Sequence, residues 1–278
     1  MQWHNDCRGQ GEGQEYKPWL TIQDVPSRGV SARIHGIKTN RQHEFLSDLE
    51  AQYFYTLEFS PFVIDIREQF PLTPVERTIS IANELGIKHP ADPSTGVNIV
   101  MTTDFMVTIK RSGIKSYLAR TLKYHSDLEN YRTLEKFDIE RRFWETMGID
   151  WGIVTEKDID RTFADNIKIL HPFLHLESIS NLSGISLSHL ADIANLFKAE
   201  ISGKTIVLRD ASSSFDTRMM LPYGTSLSLY KHLLMTRQIN VDLRKRLDVD
   251  NPVTINPVTI YKEVFDENIR QSGASIQI

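Results

Sequence analysis

Asp104 lies inside an apolar, β-branched run from Asn98 to Thr108, where a strand core alone asks for no charge. Thr121 and Lys123 stand two residues apart in a further strand-like run, Ser116 to Tyr124, and so project from one face. Glu50 precedes both, on a helix predicted to start after Ser47. An acid on one strand, a hydroxyl two residues before a lysine on its neighbour and an acid on the preceding helix form the set a metal-dependent phosphodiesterase needs. Hard oxygens hold the ion, the ion neutralises charge on the scissile phosphate, and the lysine orients or deprotonates the attacking water. Each residue also has a structural reading. Glu50 completes Ser47-Asp48-Leu49-Glu50, a capping box. Asp104 suits a cross-strand pair with Lys123, and Thr121 is ordinary for a strand. Glu140 falls on the helical face of Phe137, Trp144 and Met147, which turns toward the core. A carboxylate there needs a partner, either a metal or an arginine such as Arg67. A single cysteine, Cys7, excludes a Cys-based zinc site, and His43, His89 and His125 lack the i, i+4 pairing of a helical one.

The elements that must position these side chains follow from periodicity. Ser47 to Phe59 reads as an N-capped helix, and Phe62 to Arg67 as a short strand stopped by Pro71. Gly113 marks the turn between the two longer strand runs. Arg132 to Met147 is an amphipathic helix closed by Gly148, and Trp151 to Thr155 a fourth strand. Helix, three-stranded meander, helix and strand predict an α/β core with a mixed sheet. Residues 1–42, rich in Gly, Gln, Ser and charge, read as an N-terminal arm. Gly9, Gly11 and Gly13 follow no predicted strand and open no helix, so they make a poor phosphate loop. The core is expected over 43–165 and a second, mainly helical domain over 166–278. In the latter, helices are predicted at Leu187–Glu200 and Ser226–Gln238, with short strands near Thr205–Leu208 and Asn240–Val241. The repeated Pro-Val-Thr-Ile at 252–255 and 257–260 reads as a local extended segment.

With 278 residues, 40% hydrophobic and 24% charged, the chain has the make-up of an ordinary globular protein with room for one large or two modest domains. One cysteine excludes a disulfide-stapled secreted fold. The start lacks a basic segment followed by an apolar one, and no apolar run reaches about 18 residues. A cytoplasmic protein without a membrane span is expected. Lys and Arg number 32 against 36 Asp and Glu, a net charge of −4. Any DNA contact is then local, and the isolated chain is expected to bind DNA weakly.

Arg8-Gly9-Gln10-Gly11, Pro18-Trp19-Leu20-Thr21, Leu46-Ser47-Asp48-Leu49-Glu50, Asp65-Ile66-Arg67-Glu68-Gln69-Phe70-Pro71-Leu72, Gly86-Ile87-Lys88-His89-Pro90, Thr103-Asp104-Phe105 and Arg132-Thr133-Leu134-Glu135-Lys136 occur in consistent order and spacing. Through them, residues 8–160 resemble the TnsA family, the endonuclease subunit of heteromeric cut-and-paste transposases. The resemblance implies a restriction-endonuclease-like catalytic domain that binds Mg²⁺, with Mn²⁺ as substitute, and cuts transposon-end DNA. It implies a nick at the 5′ end of the element, while a TnsB-type transposase cuts and joins the 3′ end. Glu50 matches the helix acid, Asp104 the central metal ligand and Lys123 the catalytic lysine. Thr121 departs from the family, whose familiar members carry glutamine there; its shorter neutral oxygen makes the metal lean more on Asp104, Glu50, a main-chain carbonyl and water. Beyond residue 160 the likeness is loose, and implies a winged-helix-like module that contacts a TnsC-type AAA ATPase. Arg244-Lys245-Arg246 there reads as a phosphate contact or a solvated face. The reading is thus a transposase endonuclease subunit. Its rivals are a catalytically silent nuclease-fold assembly factor, which Thr121 favours, and an independent restriction-type nuclease, which the lack of a basic field disfavours.

Overall fold

The computed structural model describes residues 7–25, 30–178 and 184–258. Along the chain they divide into two compact units between Ile159 and Asp160. In the first, β1 (Ala32–Gly36) and β2 (Arg41–Phe45) form an antiparallel hairpin. Helix α1 (Asp48–Phe59) starts as the sequence predicts: the Ser47 hydroxyl accepts from the Glu50 amide, and the Glu50 carboxylate accepts from the Leu46 amide at 3.0 Å and the Ser47 hydroxyl at 2.8 Å. These bonds satisfy donors that the first helical turn would otherwise leave unpaired. Strands β3 (Val63–Pro71), β4 (Thr102–Arg111) and β5 (Ile114–Leu122) make the expected antiparallel meander. Strand β6 (Asp150–Val154) joins β5 in parallel, giving a mixed sheet in the order β3-β4-β5-β6. Ser112 and Gly113, both at positive φ, form the tight turn between β4 and β5.

Adjacent strand residues face opposite sides of a sheet, and Phe105 and Met106 of β4 receive different cover. Met106 packs with Ala119 against Ile81 and Ala82 of α2 (Val75–Leu85) and Ile139, Phe143 and Trp144 of α3 (Tyr131–Glu145). Phe105 stacks on Phe45 at 5.8 Å, and Phe45 meets Phe54 of α1 at 4.8 Å. Burying each such side chain contributes about 1.5–3 kcal/mol. Residues 98–101, predicted as part of the strand, precede β4: Asn98 makes an isolated bridge to Ala91, and the Met101 carbonyl accepts from the Leu72 amide at 2.8 Å.

Of residues 1–42, those from Gly9 to Trp19 are folded onto β3. The Gly13 amide donates to Asp65 at 3.1 Å, the buried Tyr16 hydroxyl to the Glu68 carbonyl at 3.0 Å, and the buried Trp19 amide to the Gln69 carbonyl at 3.1 Å. Gly9 sits where a Cβ would lie 2.3 Å from the Pro71 ring, so only glycine permits this approach. Beneath the segment lies a buried ion cluster. Arg41 grips Glu68 with both guanidinium ends, one at 2.7 Å, and His43 Nδ1 contacts the same carboxylate at 2.7 Å. Burial alone would raise the Glu68 carboxyl, but Arg41 and His43 overcome it and hold it down at about 2.

In the second unit, α4 (Arg161–Leu170) packs with that unit through Asn166, whose amide donates to the Leu243 and Lys245 carbonyls at 2.8 Å. That packing places the division before α4, ahead of the position predicted. Helix α5 (Leu187–Ile201) buries Leu190, Ala194, Phe197 and Ile201, an apolar stripe at helical spacing. Strand β7 (Lys204–Val207), helices α6 (Leu208–Arg218) and α7 (Thr225–Met235), and strands β8 (Ile239–Asn240) and β9 (Pro252–Pro257) follow. The strands form an antiparallel sheet in the order β7-β9-β8. The first Pro-Val-Thr-Ile repeat is therefore sheet, and the second runs beyond the described residues. Among the described residues no helix is long and apolar enough to cross a membrane.

Candidate active site

Helix α1 and strands β3, β4 and β5 bring Glu50, Gln69, Asp104 and Lys123 together in the first unit. Asp104 Oδ1 accepts from the Gln69 side-chain amide at 3.2 Å, and Oδ2 from the Leu122 main-chain amide at 2.7 Å. Burial raises the Asp104 carboxyl above its usual range, against the pull of these donors and of Lys123. Burial also raises Glu50, and the Asp104 charge adds to the rise. Two carboxylates sharing a half-closed space resist joint ionisation without a cation. Lys123 follows β5, extends its pairing by donating its main-chain N–H to the Val154 carbonyl at 3.0 Å, and sets its ammonium 3.4 Å from Asp127. It acts on Asp104 by charge, and the direct cross-strand pair that the sequence also allowed is replaced by the Asp127 contact.

Glu140 of α3 is buried beside this group. Its Oε1 accepts from Thr103 at 2.6 Å, from the Trp151 indole at 3.0 Å and from the Thr121 hydroxyl. Arg67, the arginine considered as its partner, instead faces Asp65 at 3.3 Å and lies over the Phe70 ring. Among the described residues no three His, Cys, Asp or Glu side chains converge on a metal position. The donors of the site are carboxylates and a hydroxyl, with no thiolate or imidazole, a chemistry that suits a hard divalent cation rather than zinc. His43 and His89 are core histidines, bonded to Glu68 and Thr39, and to Thr78 and the Pro90 carbonyl.

Burial pushes the Glu140 carboxyl up to about 7, against three donors and with help from the Asp104 charge. An unfolded chain releases this proton near 4.5, so between the two values the folded chain binds more protons, and its stability falls as the pH rises through that window. Thermal melting in chelator is expected to give a lower midpoint at about pH 8 than at about pH 5, and Glu140→Gln to flatten the slope. A profile that the substitution leaves unchanged would contradict this.

Gln69, Thr103 and Trp151 were not singled out from the sequence. Gln69 lies within one of the motifs that carry the resemblance, but nothing local marks it as facing Asp104. The exposed Arg244, Lys245 and Arg246 sit on a loop held by Asn166, with Lys245 3.6 Å from Asp242.

Residues 60–156 match the TnsA-like endonuclease N-terminal family, and residues 158–243 match the TnsA endonuclease C-terminal family. The chain is 38% identical over 239 residues to the transposon Tn7 transposition protein TnsA of Escherichia coli, across 86% of this chain and 83% of that one. The likeness thus continues through the second unit, where no single motif carried it. With both units matched in order and 38% identity over most of both chains, the chain belongs to the TnsA family of DNA-transposition endonucleases.

Proposed function

We propose that this endonuclease nicks the 5′ ends of a transposon in a Mg²⁺-dependent reaction, within a complex that includes a TnsB-type transposase and a TnsC-type ATPase. The observation that carries the reading is the gathering of Glu50 and Asp104 beside Lys123. Asp104 and Glu50 hold the ion, with Thr121 and Glu140 at its margin; a bound ion supplies charge neutralisation at the scissile phosphate and an acidified water. Lys123, tethered at the exposed side by Asp127, aligns the attacking water. In-line attack leaves a 3′-hydroxyl and a 5′-phosphate. Leu122, whose amide fixes Asp104, keeps that carboxylate aimed while the hydroxyl of Thr121 is given to Glu140. From α5 onward the element order helix, strand, two helices and two strands, with β9 in the centre of its sheet, supports a winged-helix-like partner module in the second unit.

The test is strand-specific cleavage of a labelled transposon end by the chain with its partner transposase and Mg²⁺. A 5′-side nick is expected, while the chain alone, at net charge −4, gives no stable mobility shift. The silent assembly factor is the second reading, favoured by the Thr121 hydroxyl being engaged with Glu140. A complex that assembles without any nick would establish it.

A further inference from the structure

Gln69 occupies a conformation that glutamine enters at a cost: its φ is +47°, in the left-handed region. Its side chain is buried, and contacts hold it at both ends. The main-chain carbonyl accepts from the Trp19 amide at 3.1 Å and the Tyr16 hydroxyl at 3.5 Å. Oε1 accepts from the Thr102 hydroxyl at 3.0 Å, while Nε2 donates to Asp104 at 3.2 Å. The neighbours dictate the amide's orientation, because an ionised Asp104 only accepts hydrogen bonds and the NH₂ end must face it. The positive end of a neutral dipole therefore lies against Asp104, whose charge bears on Glu50.

We propose that Gln69 is a positioning residue for a metal ligand: its amide holds Asp104 in its ligand orientation, and the Tyr16–Trp19 segment in turn fixes Gln69. The inference rests on reading Glu50 and Asp104 as metal ligands. Leu122 fixes one Asp104 oxygen and Gln69 the other, so without Gln69 the carboxylate keeps a single restraint.

The experiment is Mn²⁺ binding to the full chain, followed by titration calorimetry and by the melting temperature with and without the ion. Gln69→Met, similar in shape but without donors, is expected to weaken Mn²⁺ binding by about 10–100-fold, the loss typical when a contact behind a metal ligand is removed. Gln69→Glu adds a third carboxylate, so its metal-free melting temperature is expected to fall and its rise with Mn²⁺ to exceed that of the wild type. If Asp104→Ala binds Mn²⁺ as the wild type does, the metal-ligand reading fails and this inference with it. If Asp104→Ala loses binding while both Gln69 variants keep the wild-type affinity and melting response, the inference alone is overturned. Should Gln69→Met not fold, the Gln69→Glu comparison decides.

Discussion

Asp104→Ala is expected to lower 5′-strand cleavage by at least about 10²–10³-fold, the scale seen when one preorganised electrostatic contact to a reacting group is removed. Asp104 is the shared member of the site: it touches Gln69 and the Leu122 amide, and its charge reaches both Glu50 and Glu140. Alanine removes the carboxylate and leaves the strand intact, so assembly with the partner transposase is expected to persist. The check is quantitative cleavage of a labelled end by complexes matched for assembly. An alanine variant that nicks at the wild-type rate would remove Asp104 from the chemistry.

Glu68→Gln is expected to cost about 3–5 kcal/mol of stability, because it strands the buried Arg41 without its counter-charge. The side chains are 7% and 0% exposed, so water does not replace the lost partner. Against a total of about 5–15 kcal/mol for a typical domain, the loss is large. Urea unfolding measures it. Removing both charges, as Arg41→Met with Glu68→Leu, is expected to recover part of the loss, since an apolar pair leaves no orphaned ion. A single-variant cost under about 1 kcal/mol would mean that the cluster behaves like a surface pair.

Local signals in the sequence locate the elements with clear ends. Ser47 opens α1, Gly113 turns β4 into β5, and Gly148 at φ +67° stops the chain just after α3. Helix α6 escaped because its Ser212-Ser213-Ser214 run favours loops by local hydrogen bonding, and tertiary packing of Phe215 and Leu208 overrides that tendency. Helix α2, entered through Pro74, carried no side-chain cap to announce it. At the site, Asp104 stands out in the sequence as an acid inside an apolar strand run, and Glu50 and Lys123 through their order and spacing around it. Gln69 does not. Asp65, Arg67 and Gln69 alternate along β3 as a solvated face would, yet all three are buried. Their cover includes residues some fifty positions earlier, through the Gly13, Tyr16 and Trp19 contacts, which no local pattern reveals.

That distant cover bears on how the protein is cut into pieces. A fragment trimmed to the family match, beginning at residue 60, omits Glu50, the Arg41 and His43 partners of Glu68, and the Tyr16 and Trp19 bonds to β3. Such a fragment keeps Asp104 and Lys123 but exposes an unpaired buried acid along β3. The folded first unit therefore starts upstream of Tyr16, and N-terminal proteolysis past that point is expected to dismantle the sheet edge at β3.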